Sequence, residues 1–523
     1  MTGLAARVIS PRSVSLRAAV YALLVVLALW TLVPIVVIAL HALETHQRLT
    51  GADGILGADQ LQYLSWARDA GLHGLASDLF ELRANGHAYL EPMFAITGWL
   101  WRLGVPLTVA YWLWKPVAIV VLFVGARAWT RRLLPGDGRG QVAALALALF
   151  MLTPVASLTV WVAVGSASFR SAVGTVGSEL QPAQTLWGYL PTAIAIGLMP
   201  IAVLACERAL NAARLGEARR SLALACGCGL VASWIHPWQG ATLLLVIVGL
   251  AAWEGWRGAR ALALPALATA IPLAYYELLP HIDAAWKLAS HNEIVARPEF
   301  LGLLAGLAPL LVLAALGARR RVAEPAERAL VLWILASLIV YFALNAFSSH
   351  ALGGLSLPFA VLLVRGWRRL RLPWLAGAAA VALVTVPGLV YWARELHRVA
   401  SSPVQEYYLN RSQSHALDWI RRDAPPGGAL APVLLAVAIP SQTDRPVWVG
   451  HEFWSRDYVG RLALTNGLFD GTLPPAEARA LVRVSGARLL VSSCIQNANL
   501  MPALGALISS VHRFGCATVY VVR

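Results

Sequence analysis

The amino-acid sequence predicts a polytopic α-helical membrane protein that ends in a small α/β domain. Apolar residues make up 58% of its 523 residues, charged residues make up 13%, and the mean hydropathy is +0.64. Water-soluble chains of this length do not have such a composition. The formal net charge is +15, but the arginines stand in short clusters between long apolar runs. This pattern indicates cytoplasmic loops and argues against a nucleic-acid-binding face.

The first apolar stretch, 18–40, follows Arg7, Arg12 and Arg17 and is too long for the apolar core of a signal peptide. We therefore predict an uncleaved first helix with a cytoplasmic N-terminus. Other stretches are also long enough to cross the membrane. They lie near 105–130, 141–162, 188–210, 259–280, 298–317, 329–347, 350–366 and 372–393.

Five arginine clusters set the predicted topology, because the chain must cross twice between neighbouring clusters if all of them are cytoplasmic. The apolar stretch 221–256 then has to be a hairpin, broken at His236-Pro237 where proline removes a backbone donor. Segment 88–104 stays on or within the outer leaflet. The clusters are Arg127 to Arg139, Arg214 to Arg220, Arg257 with Arg260, Arg319 to Arg321, and Arg365 to Arg371.

The resulting scheme has about eleven crossings, a cytoplasmic N-terminus and an extracytoplasmic C-terminus in the inner (plasma) membrane. It divides the chain into a transmembrane domain, 1–393, with a large first outer loop, 42–104, and an extracytoplasmic domain, 394–523. The segments 163–187 and 281–297 are also placed outside. Five glutamates are interpreted as solvated residues of cytoplasmic loops or helix ends: Glu207, Glu217, Glu254, Glu324 and Glu327.

The C-terminal domain shows alternating strand and helix patterns, which predict a small, largely parallel sheet. Cys494 and Cys516 are the two cysteines predicted to lie outside, so we expect a disulfide, although parallel strands would leave them at opposite edges. The predicted strands are Val447–Val449, Arg488–Ser492 and Thr518–Val522, and the predicted helices are 413–422, 456–468, 475–484 and 499–509.

A candidate catalytic residue lies in the first outer loop, on a helix predicted at 57–71. Asp59, Tyr63 and Trp66 are spaced i, i+4, i+7 and share one face of it. A carboxylate beside aromatic rings suits glycosyl transfer from a lipid-linked donor, since it accepts the proton of the acceptor hydroxyl. The alternative is that Asp59 caps the helix and the rings pack on the bilayer surface.

Candidate substrate-binding residues follow in later segments. Glu179 is a second acid or a metal ligand, or else an ordinary loop carboxylate. His236, with Trp238 and Gln239, binds donor phosphate or a sugar hydroxyl, or else satisfies loose carbonyls at the helix break. Lys115 lies about ten residues into a predicted membrane helix, where it reaches a lipid phosphate or a carboxylate, or snorkels between neighbouring tryptophans.

Metal and nucleotide sites have little support in the sequence. His281, Asp283, His291 and Glu293 contain no i, i+4 pair of the kind that helical zinc ligands form, so we expect no structural zinc. No phosphate-binding glycine loop follows a predicted strand. The cofactor is left open.

Several short motifs together resemble the GT-C superfamily of polytopic glycosyltransferases, which use polyprenyl-phosphate sugars. They resemble in particular uncharacterised bacterial members with a C-terminal extracytoplasmic α/β domain. The motifs are Ala58-Asp59-Gln60 with Tyr63, Glu179 with Pro182, His236-Pro237-Trp238-Gln239, and Val449-Gly450-His451-Glu452 with Tyr458.

The resemblance implies a polyprenyl-phosphate-linked sugar donor, an envelope glycan or protein as acceptor, and Asp59 as base or metal contact. Many members have a second acid next to this residue, where Gln60 stands here, so the pattern argues against a metal site built on an acidic pair. A divalent metal is left open, because no specific ligand set is visible. The alternatives are a transporter or lipid flippase and a non-catalytic scaffold for envelope assembly. A transporter usually shows internal repeats and intramembrane polar residues, and apart from Lys115 neither is evident.

Overall fold

Apolar helices form most of the chain up to Ala400. The computed structural model describes residues 11–83, 86–293, 297–318, 324–402 and 406–523, so Arg7 and the cluster Arg319 to Arg321 lie outside the described residues. In chain order the elements are α1 (Pro11–Glu44), β1 (Arg48–Leu49), α2 (Gly57–His73), α3 (Pro92–Arg102), α4 (Leu107–Trp112), α5 (Trp114–Leu133), α6 (Gly138–Phe150), α7 (Pro154–Thr159), α8 (Ala167–Glu179), α9 (Pro182–Thr185), α10 (Leu190–Asn211), α11 (Leu215–Ile235), α12 (Pro237–Trp253), α13 (Gly255–Ile282), α14 (Ala284–Asn292), α15 (Phe300–Gly317), α16 (Pro325–Ala343), a 3-10 helix (Ser348–Leu352), α17 (Ser356–Arg369) and α18 (Trp374–Ala400).

The longer helices of the described chain up to Ala400 pack against one another in one bundle, which comprises α1, α5, α6, α10, α11, α12, α13, α15, α16, α17 and α18. Seven helical segments of the described chain are long and apolar enough to cross a membrane by length and composition alone. The polytopic helical fold predicted from the sequence is therefore confirmed, whereas the number of crossings, about eleven, stays a prediction.

Ion pairs at one end of the bundle, which we call the arginine end, join arginines to glutamates of neighbouring helices. Arg132 of α5 contacts Glu207 of α10 at 2.6 Å, and Arg365 of α17 binds Glu327 of α16 through two bonds of 2.7 Å. Arg328 pairs with Glu254 in the same way. Glu207 and Glu327 are buried, so interpreting them as solvated residues was wrong. The pairs place arginines from separate clusters at the same end, as the topology rule requires.

The predicted hairpin at 221–256 is confirmed. Helices α11 and α12 meet at His236, whose extended backbone (φ −153°, ψ 96°) precedes Pro237 at the first position of α12. The predicted span 141–162 is instead cut into α6 and α7, because Pro154 starts a new helix capped by Thr153. Segment 88–104 contains α3, which has 11 residues, too few to cross, and packs against α2.

Close contact between α5 and α10 requires glycine on both helices. A Cβ at Gly125 would lie 2.0 Å from the carbonyl oxygen of Gly197, and a Cβ at Gly197 would lie 2.6 Å from the backbone of Leu122. Any larger side chain would force these helices apart. The small residues therefore let the two backbones pack directly, as they do in other membrane helix pairs.

A buried ion pair joins α5 to the segment after β1. Lys115 Nζ lies 2.6 Å from Asp53 Oδ2 and donates to the carbonyl oxygen of Leu186 at 3.0 Å. Lys115 is 2% exposed and Asp53 is 1% exposed. Lys115 lies in the first turn of α5 and neither snorkels nor contacts solvent, because Asp53 compensates its charge inside the protein.

The C-terminal region combines short helices with a four-stranded sheet of order β3-β4-β6-β5. Helix α18 continues through the predicted domain boundary between 393 and 394, so that boundary stays a prediction. The elements are β2 (Tyr408–Leu409), α19 (Arg411–Arg422), β3 (Ala429–Leu430), α20 (Val433–Ala436), α21 (Ile439–Thr443), α22 (Tyr458–Phe469), α23 (Pro475–Ser485), β4 (Leu489–Val491), α24 (Met501–Leu504), a 3-10 helix (Gly505–Leu507), β5 (Ile508–Phe514) and β6 (Ala517–Val522).

The sheet is mostly antiparallel, so the prediction of a largely parallel sheet was wrong. Only the described pair β3 and β4 is parallel, whereas β6 pairs antiparallel with both β4 and β5. Strand β5 was missed, because most of its exposed face is polar and its first residues extended a helical pattern predicted at 499–509. Val447, predicted to open a strand, forms an isolated parallel bridge to Ala429.

The predicted disulfide between Cys494 and Cys516 is confirmed, with Cα atoms 4.9 Å apart. The antiparallel pairing explains why the bond forms. Cys494 follows the end of β4 and Cys516 precedes the start of β6, and antiparallel strands bring those two points to the same edge of the sheet. Parallel strands would have left the two cysteines at opposite edges of the sheet, but β4 and β6 are antiparallel.

The C-terminal region packs on the first outer loop. Strand β1 pairs antiparallel with β2, Val447 N donates to the carbonyl oxygen of Leu79 at 2.8 Å, and Arg461 contacts Glu81 at 3.1 Å. The sheet residues alternate between two cores, as expected for strands covered on both faces. Leu489 and Val491 join the main core, and Leu490 joins a second core within the C-terminal region. We call this end of the bundle the domain end.

The disulfide should stabilise the C-terminal region. Closing a loop with a sequence separation of 22 residues contributes about 3 kcal/mol in the chain-entropy model. We expect Cys494→Ser/Cys516→Ser to lower the thermal unfolding midpoint of the protein in detergent, while Cys226→Ser leaves it unchanged. Maleimide labelling in denaturant should modify three of the five cysteines before reduction. Modification of all five without a reductant would contradict the bond.

The Lys115–Asp53 pair should stabilise the fold. The stability lost on mutation should depend on whether one or both charges are removed. Lys115→Met leaves a buried, unpaired carboxylate and should cost about 3–5 kcal/mol of stability. The double variant Lys115→Met/Asp53→Asn should lose less than the single one. Thermal unfolding in detergent measures both, with Lys287→Met at an exposed lysine as the control. Equal or additive losses would argue against direct pairing.

Candidate functional site

A cavity of about 780 Å³ opens at the domain end of the bundle. Its wall is built from α2, the hairpin tip between α11 and α12, the segment that contains α14, the 3-10 helix at Ser348–Leu352 and the loop 451–454. Six of the residues selected from the sequence line this cavity. They are Asp59, Tyr63, Trp66, Glu179, His236 and Trp238.

Asp59 is held by two hydrogen-bond donors from distant parts of the chain. Its Oδ2 accepts from the hydroxyl of Tyr189, and its Oδ1 lies 3.1 Å from His451 Nε2. The N-cap position of α2 belongs to Leu56, so Asp59 does not cap this helix. Its side chain keeps 29% of its surface exposed and therefore reaches the cavity.

The protonation of His451 follows from its second nitrogen. His451 Nδ1 accepts the backbone N–H of Phe453 at 3.3 Å, so the ring proton sits on Nε2 and points at Asp59. The loop is fixed by Ser455, whose Oγ accepts from Gly450 N at 3.1 Å. His451 thus donates to the Asp59 carboxylate.

The environment of Asp59 keeps it ionised. Burial disfavours the carboxylate form, but the hydrogen bond and the charge attraction from His451, together with the hydrogen bond from Tyr189, outweigh this effect and hold the pKa of Asp59 below its ordinary value. Asp59 is therefore negatively charged throughout the physiological pH range, and its proton affinity is low.

Aromatic rings cover one side of the cavity beside Asp59. Tyr63 stacks on Phe94 with centroids 5.2 Å apart, and Trp66 contacts Trp454 edge to face at 5.0 Å. The predicted shared face of Asp59, Tyr63 and Trp66 is confirmed, since all three line the cavity. Trp66 is only 6% exposed, so it mainly supports the half-buried Tyr63 and Trp286 that face the opening.

A second acid and a histidine pair on another wall of the cavity. His350 Nδ1 lies 2.8 Å from Glu179 Oε1, and Ser349 Oγ donates to the same oxygen at 3.3 Å. Burial disfavours the charged ring, but attraction to Glu179, Asp59 and Glu293 outweighs it and raises the pKa of His350. The contact with Glu179 therefore favours the cationic form of the His350 imidazole.

His236 has the opposite character. Burial and the neighbouring His350 lower its pKa well below the ordinary value, so the ring is neutral. Its Nδ1 has no hydrogen-bond partner among the described residues. Trp238 lies beside it, with ring centroids 5.2 Å apart, and donates from its indole nitrogen to Ala346 O at 2.8 Å. His236 thus presents an unpaired polar atom at the helix break.

Two of the selected residues lie outside the cavity wall. Lys115 is occupied by Asp53, as described above, and Gln239 donates to the carbonyl oxygens of His350 and Gly353 at 2.8 and 3.1 Å. Gln239 therefore positions the segment that carries His350, and Lys115 positions α5. Neither residue lines the cavity, so neither is placed to contact a molecule bound there.

Three residues of the site were not selected from the sequence: Tyr189, His350 and His451. His451 belongs to one of the motifs that carried the resemblance, and His350 was among the residues expected on the outer side, but neither had a local partner in the sequence. No sequence pattern around Tyr189 indicated a role in the site. Within the described chain, the cavity wall does not bring three metal-ligand atoms within 4.8 Å of one another.

Comparison with known proteins gives the fold. Neither a protein-family model nor a curated protein sequence matches the chain. The crystal structure of ArnT from Cupriavidus metallidurans bound to undecaprenyl phosphate is 14% identical with a TM-score of 0.52, covering 96% of this chain and 97% of that one. The apo oligosaccharyltransferase of Archaeoglobus fulgidus is 11% identical with a TM-score of 0.53, covering 96% and 74%. The chain therefore shares the fold of these two membrane glycosyltransferase structures, in agreement with the fold that the resemblance implied.

Proposed function

We propose that the protein transfers a sugar from a polyprenyl-phosphate donor to an acceptor of the cell envelope. The main support is Asp59, an ionised carboxylate held by His451 and Tyr189 in the wall of an aromatic-lined cavity. The cavity lies at the domain end of a membrane helix bundle, where a lipid-linked sugar has access. The fold is also that of an ArnT structure bound to undecaprenyl phosphate.

In the proposed reaction the acceptor oxygen attacks the anomeric carbon of the donor sugar. The bond from that carbon to the phosphate oxygen breaks, and its electron pair leaves with the polyprenyl phosphate. The acceptor proton passes to Asp59. Because the pKa of Asp59 is low, this transfer comes late, when the attacking oxygen has become acidic. Before that, the carboxylate stabilises the positive charge that develops on the sugar ring.

The departing phosphate needs a positive charge, and most of the charged residues that line the cavity are acidic. They include Asp59, Glu179 and Glu293. His350 is half-buried, and its contact with Glu179 favours the protonated ring, so it is the group suited to meet the phosphate. Half-buried rings such as Tyr63 and Trp238 provide apolar faces for the sugar. A divalent cation bound by cavity carboxylates would supply further positive charge, but no step above depends on one.

We further propose that the domain end faces the extracytoplasmic side of the inner membrane and the arginine end faces the cytoplasm, because arginine-rich loops are retained there. A single cysteine at Val164→Cys, at the domain end, should react with a membrane-impermeant maleimide in intact cells. Gly136→Cys, at the arginine end, should react only after the membrane is permeabilised. Both positions are exposed. The reverse labelling pattern would overturn the orientation.

Asp59→Asn should reduce transfer activity by about two to four orders of magnitude, because it removes the proton acceptor and the negative charge. The measurement is kcat with a synthetic polyprenyl-phosphate sugar in detergent. Asp423→Asn, at an exposed aspartate of the C-terminal region, is the matched control and should keep normal activity.

His451→Gln tests the same assignment through the pH profile. Loss of the His451 hydrogen bond raises the pKa of Asp59, so the acid limb of kcat/KM should move to higher pH. Full activity of a normally folded Asp59→Asn protein would remove Asp59 from the mechanism. An acid limb that does not move in His451→Gln would show that His451 does not control the pKa of Asp59.

Donor binding should weaken as the pH rises. His350 has a raised pKa, so its charge is present below the ordinary histidine value and is lost as the pH passes above it. We expect the KM for the donor to increase across this range in the native protein and to stay flat in His350→Gln. Glu179→Gln should move the inflection to lower pH. Glu293, whose pKa burial raises to about 7, titrates nearby, so Glu293→Gln serves as the control that retains the dependence.

A further inference from the structure

A second cluster of polar side chains lies at the far end of α2, outside the cavity lining. Asp69 and His73 are one helical turn apart on α2, and His87 approaches them from the following loop. Asp69 Oδ1 lies 3.5 Å from His73 Nε2, and Asp69 Oδ2 lies 3.1 Å from His87 Nδ1. One ligand atom from each of the three residues lies within 4.8 Å of the others.

These separations fit a tetrahedral metal ion. Bonds of about 2.0–2.1 Å from zinc to nitrogen and oxygen place neighbouring ligand atoms about 3.3 Å apart. The two contacts between the Asp69 carboxylate and the imidazoles are 3.1 Å through Oδ2 and 3.5 Å through Oδ1, and they lie on either side of this value. Two imidazoles with one carboxylate favour zinc or a similar transition metal over magnesium or calcium, which prefer oxygen ligands.

Hydrogen bonds from Ser77 hold Asp69 in place, as outer-shell hydrogen bonds hold the ligands of metal ions. Its Oδ2 accepts the backbone N–H of Ser77 at 2.6 Å and the hydroxyl of Ser77 at 2.9 Å. The Asp69 side chain is 1% exposed, whereas those of His73 and His87 are 45% and 38% exposed. The carboxylate is therefore fixed, and the two imidazoles leave an open side for entry and for a fourth ligand such as water.

A second carboxylate lies close to the cluster. Asp444 is near Asp69 and His73, and its Oδ1 is buried without a hydrogen-bond partner among the described residues. The rings of His73 and His87 stack with centroids 4.1 Å apart. The cluster therefore gathers two imidazoles beside a fixed carboxylate, with an unpaired carboxylate oxygen nearby.

We propose that Asp69, His73 and His87 bind one divalent transition-metal ion, with zinc as the best fit. The ion ties the C-terminal end of α2 to the loop that returns through the bridge between Ala76 and Tyr89. Tyr89 and Glu91 follow His87 and line the cavity, so the metal fixes part of the cavity wall without touching the reacting molecules. This site is independent of the proposed transfer reaction.

The test measures metal bound to the full chain, purified in detergent without a polyhistidine tag and dialysed against micromolar zinc. Elemental analysis should find about one zinc per chain in the native protein and none in His73→Ala/His87→Ala. The matched control is His281→Ala/His291→Ala, which removes two exposed histidines elsewhere on the domain end and should keep the metal. Zinc should also raise the thermal unfolding midpoint of the native protein and of this control only.

A third variant examines the orienting bond. Ser77→Ala removes the hydroxyl that holds Asp69 and should weaken zinc affinity by about 10- to 100-fold while keeping the stoichiometry. Absence of zinc from the native protein would overturn the proposal. Full zinc content in His73→Ala/His87→Ala would also overturn it, because the metal would then lie elsewhere, and His350→Ala would show whether it lies in the cavity.

Discussion

The contact between Asp59 and His451 joins parts of the chain that are 392 residues apart, and the candidate site exists only when both are in place. The C-terminal region is held on the first outer loop by β-pairing, by the Val447–Leu79 backbone bond and by the Arg461–Glu81 ion pair. A carboxylate on α2 alone would be a solvated helix residue. When the C-terminal region packs on the first outer loop, Asp59 is partly buried beside the hydrogen-bond donor His451, which keeps its carboxylate ionised.

The bundle beneath the site satisfies a different constraint. Helices leave few backbone groups unpaired in lipid, so irregular chain collects at the two ends of the bundle. The arginine end is held by ion pairs such as Arg365–Glu327, whereas the domain end carries loops, short helices and the cavity. The one lysine in the first turn of α5 is compensated by Asp53. Buried charged groups such as these are thus paired, and polar groups are available around the cavity.

Features of the fold that depend on local interactions could be predicted from local sequence patterns. The helices, the break at His236-Pro237 and the common face of Asp59, Tyr63 and Trp66 follow from hydropathy, proline chemistry and the helical period. Contacts between distant segments could not be found in this way. The pairing of β4 with β6, the partner of Lys115 and the donors to Asp59 depend on tertiary packing, which leaves no periodic signal in a single sequence.

The cavity separates its carboxyl groups into two protonation states. Donors from His451 and Tyr189 keep Asp59 ionised, whereas burial raises the pKa of Glu91 to about 8, so Glu91 holds its proton at neutral pH. Glu91 Oε2 accepts the backbone N–H of Phe94 at 2.6 Å, which leaves the other oxygen to carry the proton. One wall therefore contains an anionic acceptor and a neutral donor. Environments that push similar groups apart in this way assign acid and base roles without a difference in residue type.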